Sequence, residues 1–177
     1  MESFQQMTAD ITNHPLFLQL RACPHHGGKN SLYIHSVSTA RCAYRLARRF
    51  HMREERIRAV TRAALLHDFF GYDWQSERHR RFMQRYSGWR RIKHMHAFIH
   101  GAHAARRAGR MFDLDQRQRQ AITSHMFPLA PWPQTSEAWV LTLADKLVAS
   151  KEVGETVCWH MLGWYRKLMP AVHARRQ

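Results

Sequence analysis

Apolar residues recur along this chain at three- and four-residue intervals and almost nowhere in strict alternation. That spacing keeps side chains on one face of an α-helix. Alternating β-branched runs, the mark of half-buried strands, are absent. The pattern therefore predicts an all-α protein, a single compact bundle of about seven or eight helices. Residues 3–12 and 15–22 read as short helices parted at Asn13-His14-Pro15. A long helix is expected from Ser31 to about Phe50, with Leu32, His35, Thr39, Cys42, Leu46 and Phe50 along one side. The next should run from about Arg53 to Asp68, with Val60, Ala63, Ala64 and His67 inward. Phe69-Phe70-Gly71 should end it, since glycine commonly follows a helix C-terminus. Residues 72–93 read as an amphipathic helix and a loop, and a helix returns from about Met95 to Met111.

Asp113 is the expected cap of the following helix, with Gln116 three residues on as in a capping box. Leu114, Gln118, Ala121 and His125 share that helix's inner face, and Pro128 lies beyond its end. Pro128, Pro131 and Pro133 mark a rigid loop. A helix from about Thr135 to Val153 would align Ala138, Leu141, Asp145, Val148 and Glu152. Gly154 is expected to break it before a final helix to about Met169.

Six polar residues interrupt these apolar faces: His35, the adjacent His67-Asp68, His100, His125 and Asp145. A buried histidine or carboxylate is costly unless paired or bound to a metal. All six are types that ligate divalent ions, and imidazole with carboxylate suits iron or manganese. Their spacing over five helices predicts one assembled site. Neighbours at a helix end, His67 and Asp68 diverge by about a third of a turn. The pair thus suits one ion held by the imidazole and a carboxylate spanning two ions. His96, His100 and His103 share a helix face, so the ligand among them is open, with His100 favoured.

Length and charge bound the rest. The 177 residues suit one domain, 1–177. Net charge is +15, with arginine well ahead of lysine, which favours anionic partners without choosing among them. Cys23, Cys42 and Cys158 match no zinc or redox spacing and are read as reduced thiols. No signal-peptide pattern and no long apolar run is present, so a cytoplasmic protein without a membrane span is expected. Glu54-Glu55 lies at a helix start, where acidic residues suit the dipole, rather than forming a catalytic carboxylate pair. No Ser-His-Asp or Cys-His arrangement stands out.

The ordered set, with Tyr33-Ile34-His35-Ser36, Ala64-Leu65-Leu66-His67-Asp68 and Leu143-Ala144-Asp145-Lys146, resembles the HD-domain superfamily of metal-dependent phosphohydrolases. The resemblance covers about residues 24–153. It implies that His35, His67, Asp68 and Asp145 hold a first ion, that Asp68 bridges, and that His100 and His125 complete a second, as in binuclear members. Iron or manganese is the expected pair, with magnesium, cobalt, nickel or zinc as further candidates. Lys146 resembles the lysine of the family's Asp-Lys pair and is a candidate catalytic and substrate-binding residue. The chain lacks the Lys and Gly-Tyr-Pro signature of cyclic-dinucleotide phosphodiesterases, and Gly101 follows His100 where related proteins often carry proline.

The activity so implied is hydrolysis of a small phosphate ester, such as a nucleotide, by metal-activated water. The loop His25 to Asn30 offers Lys29 as a second substrate-binding cation. Two rival readings accompany it: a di-iron oxygenase on the same scaffold, and a basic module binding nucleotide or nucleic acid. For the latter, arginines mixed with Phe82, Tyr86 and Trp89 over 78–93 form the candidate surface.

Overall fold

The computed structural model describes residues 2–24, 30–71 and 76–168, with 92–93 and 155–168 described by backbone alone. Among these residues there are nine α-helices and one 3-10 turn, and no strand beyond an isolated bridge between Pro24 and Ser31. The elements are α1 (Phe4–Thr12), α2 (Pro15–Leu18) with its 3-10 extension Gln19–Ala22, α3 (Leu32–Arg49), α4 (Glu54–Leu66), α5 (Glu77–Gln84), α6 (Gly88–Lys93), α7 (His96–Met111), α8 (Gln116–Ser124) and α9 (Ser136–Leu168). The one amphipathic helix expected over 72–93 is two short helices, α5 and α6, among the described residues, and the two expected after Thr135 are one, α9. No helix is long and apolar enough to cross a membrane.

α4 is the central helix, packed on α1, α3, α7, α8 and α9. Every residue from Ala59 to Phe70 is buried, as expected for a helix without a polar face. The core is rich in alanine: Ala40, Ala43 and Ala47 on α3, Ala63 and Ala64 on α4, Ala104 and Ala108 on α7, Ala121 on α8. Small contact residues shorten interhelical distances. That lets side chains as short as Asp and His meet from different helices.

Polar ties set the helices in register. Buried Arg62 of α4 grips Asp10 of α1 with two bonds of 2.6 and 2.8 Å and donates to the Met7 carbonyl. Glu137, buried in the first turn of α9, lies 3.5 Å from Arg56 of α4 and 3.5 Å from Arg117 of α8. Thr135 caps α9 by accepting from the Ala138 amide.

Three expectations change. Gly154 does not break α9, which continues to Leu168. An interior glycine costs only about 1 kcal/mol against alanine, and the next proline, Pro170, lies sixteen residues on. The cap of α8 is Asp115, boxed with Gln118, while Asp113 sits at φ +43° outside the helix. The chain carries the same Asp-x-x-Gln spacing at 113–116 and 115–118, and the later pair is used. The buried stripe of α3 is Leu32, His35, Ser36, Thr39, Ala40, Ala43 and Ala47, with Phe50 exposed.

Candidate metal centre

Five elements bring the six polar residues together. His35 comes from α3, His67 caps the C-terminus of α4 with Asp68 next, His100 lies in α7, His125 caps α8, and Asp145 lies in α9. All six are buried.

Three imidazoles are oriented by their own helices. The Nδ1 of His67 lies 2.8 Å from the Ala64 carbonyl, that of His100 2.9 Å from His96, and that of His125 2.6 Å from Ile122. For the two C-terminal caps these are carbonyls that the helix end leaves without an intrahelical donor. Carbonyls accept only, so each Nδ1 carries the proton and each Nε2 presents a lone pair to the centre. His35 differs, because its Nδ1 is 3.1 Å from the Glu152 carboxylate, one level further along α9.

Asp68 divides the site. Its Oδ2 faces His67 Nε2 at 3.6 Å and His35 Nε2 at 3.9 Å, while its Oδ1 faces His100 Nε2 at 3.4 Å and His125 Nε2 at 3.9 Å. Asp145 Oδ1 joins the first group, 3.2 Å from His35 and 3.5 Å from His67. Two sets of donors thus share one carboxylate. His35, His67 and Asp145 form one compact triad, and His67, Asp68 and His125 another.

The donors fit cations. His67 Nε2 is buried with no hydrogen-bond partner. His100 Nε2 and His125 Nε2 stand 3.0 Å apart with their protons committed to Nδ1. Two lone pairs that close repel unless a cation lies between them. At metal–nitrogen bonds of about 2.1 Å, adjacent ligands of one ion fall at about this separation.

The electrostatics agree. Burial would raise the Asp68 carboxyl, but His67, His100, His35 and His125 together hold it well below the usual range. Asp145 is likewise held low against its burial, by its bond to His35 and by His67 3.5 Å away. Burial would lower His35, yet Asp145, Glu152 and Asp68 raise it to about 10, and His67 is raised by Asp68 and Asp145. Burial and the neighbouring His67 and His100 drive His125 down to about 3, so it stays neutral. The carboxylate field that favours positive charge at His35 and His67 would equally favour cations beside them.

A cavity of about 300 Å³ opens on this centre. His35, Asp68, His100, His125 and Asp145 form its floor, and Lys146, exposed, stands in its wall. Leu32, Phe70 and Met126 supply an apolar side. Larger grooves of about 560 Å³ beside Arg62 and about 680 Å³ beside Phe50 contain none of the six residues, so size does not mark the site. Of the three histidines left open on α7, His100 is the one at the centre. His96 lines the cavity with its ring stacked on His100 at 4.6 Å, and His103 is exposed. Lys29 and Tyr72-Asp73-Trp74 lie outside the described residues, as does the side chain of Cys158. Glu152 was legible in sequence only as an inner position of α9, seven residues after Asp145 on the same face.

Gly101 accounts for the missing proline after His100. A Cβ there would stand 2.9 Å from the Ile122 carbonyl oxygen, 3.1 Å from that of Thr123 and 3.3 Å from the His125 ring. Without one, α7 closes on α8 and the two imidazoles meet.

The HD domain family model matches residues 32–150, about two-thirds of the chain. This protein belongs to the HD domain family, whose members are in general metal-dependent hydrolases. No curated protein and no solved structure matches it.

Proposed function

We propose that this chain is a phosphohydrolase that uses two divalent ions, iron or manganese first among the candidates, to hydrolyse a small phosphate ester such as a nucleotide. The observation that carries the reading is Asp68, whose two oxygens face two separate imidazole sets. His35, His67 and Asp145 would hold one ion, His100 and His125 the other, with Asp68 shared. Bound cations of this kind lower the pKa of water and polarise phosphoryl oxygens. Asp68, kept ionised by the surrounding imidazoles, is placed to take the proton the water releases. Lys146 offers a positive charge at the cavity wall for a phosphoryl oxygen as charge grows there. Leu32, Phe70 and Met126 exclude water on one side and would carry the ester's organic part.

Metal content per chain tests this, measured by plasma mass spectrometry after purification without chelator or nickel resin, beside His67→Ala and Asp68→Ala. About two equivalents, lost in both variants together with phosphatase turnover, is the expected result. Turnover retained in those variants would sink the proposal. Substrate oxidation that consumes oxygen, without phosphate release, would replace hydrolysis by the oxygenase chemistry.

A further inference from the structure

Residues 76–91 do little for the core. α5 buries no side chain, and Arg78, Arg80, Arg81, Arg85, Arg90 and Arg91 are all exposed. Six arginines stand against one acidic residue, Glu77, whose carboxylate pairs with Arg80 and Arg81. Such a concentration of one sign draws anions to the surface.

Aromatic rings run through the same segment. Phe82 meets Tyr86 edge-on at 5.3 Å, and Tyr86 stacks on His94 at 4.1 Å. These contacts tie the two rings to each other and to His94, while Phe82 stays 37% exposed. Trp89 is left 78% exposed among arginines. An interfacial membrane helix needs a continuous outward apolar face, whereas here Phe82 and Trp89 stand apart among six exposed arginines. A stacking ring among exposed guanidinium groups is instead the arrangement that binds single strands, by base stacking and phosphate contact.

The location matters as well. The segment runs through α6 to His94, and two residues later His96 lines the metal cavity. Backbone geometry limits the step from Arg91, the end of the arginine segment, to His96 to about 17 Å.

We propose that residues 76–91 form a binding surface for single-stranded nucleic acid, with Trp89 stacking on a base and Arg85, Arg90 and Arg91 contacting phosphates. The surface needs no metal, so it stands or falls apart from the hydrolase reading.

The test is fluorescence anisotropy of the full chain with a labelled oligothymidylate of about a dozen nucleotides, across about 50 to 200 mM salt. Chelator is present throughout. The variants are Trp89→Ala, Arg90→Ala/Arg91→Ala and a charge-matched control, Arg45→Ala/Arg49→Ala, whose side chains are exposed on α3. All three change exposed side chains, and far-UV circular dichroism checks their helicity. Trp89→Ala is expected to weaken binding about tenfold at unchanged salt dependence, in line with the loss of one stacked base. The Arg90/Arg91 variant should flatten the slope of log affinity against log salt by about 1.4, from about 0.7 per phosphate. The control should stay within about twofold of the parent by the same reasoning. Absence of binding at low salt would overturn the proposal. So would equal weakening in the control, which would assign the effect to net charge alone. Trp89-dependent binding to phosphatidylserine vesicles, tighter than to the oligonucleotide, would assign the surface to membranes and overturn it too.

Discussion

His35 is the candidate ligand whose orientation another side chain sets, because Glu152 rather than a helix carbonyl accepts from its Nδ1. A carboxylate in that position holds the ring's tautomer and strengthens Nε2 as a donor to metal. Glu152→Ala should therefore weaken metal affinity about 10- to 100-fold. Glu152→Gln, which still offers an oxygen to the N–H, should lose less. Competitive titration with a chromophoric chelator measures both, and equal affinities in all three proteins would remove Glu152 from the site. A second residue-scale prediction concerns acid. The Asp10 carboxyl is lowered by its bonds to Arg62. A carboxyl depressed on folding contributes stability above its unfolded pKa of about 3.9 and loses it as pH falls through the folded value. The stability difference between the parent and Asp10→Asn should thus be constant near neutrality and shrink below about pH 4. Urea titrations at stepped pH measure it.

Among the elements, α7 and α8 depend on one missing Cβ. Gly101→Ala would press a methyl group on the Ile122 carbonyl, and backbone yields only by separating the helices. His100 and His125 would then part. The expected result is a folded protein whose metal content falls from about two equivalents toward one, the site being shared between two helices that no longer close. Unchanged stoichiometry would show that the imidazoles tolerate the separation. Most elements were legible from periodicity, since helix faces follow local spacing. The errors at Asp113 and Gly154 share a cause. Capping and breaking signals are weak, fractions of a kcal/mol to about 1 kcal/mol, and the surrounding packing decides between alternatives.

For the whole molecule, metal binding and folding are linked, because donors from five helices converge only in the folded state. At about 100 times the dissociation constant, an ion adds about 2.7 kcal/mol. In a domain of this size that raises Tm by roughly 5–10 °C. Differential scanning calorimetry with and without chelator should show this shift, and His67→Ala should abolish it. The sequence alone determined the helical class, since period is a local property. It also determined which polar residues sit on apolar faces, because a histidine or aspartate there is conspicuous wherever the chain folds. Distance is what it does not encode locally. Only the tertiary structure separated His100 from His96 and His103, divided Asp68's oxygens between two donor sets and brought Glu152 behind His35. Each of those depends on how closely alanine- and glycine-faced helices pack. The same packing leaves residues 76–91 outside the core, with their arginines facing solvent.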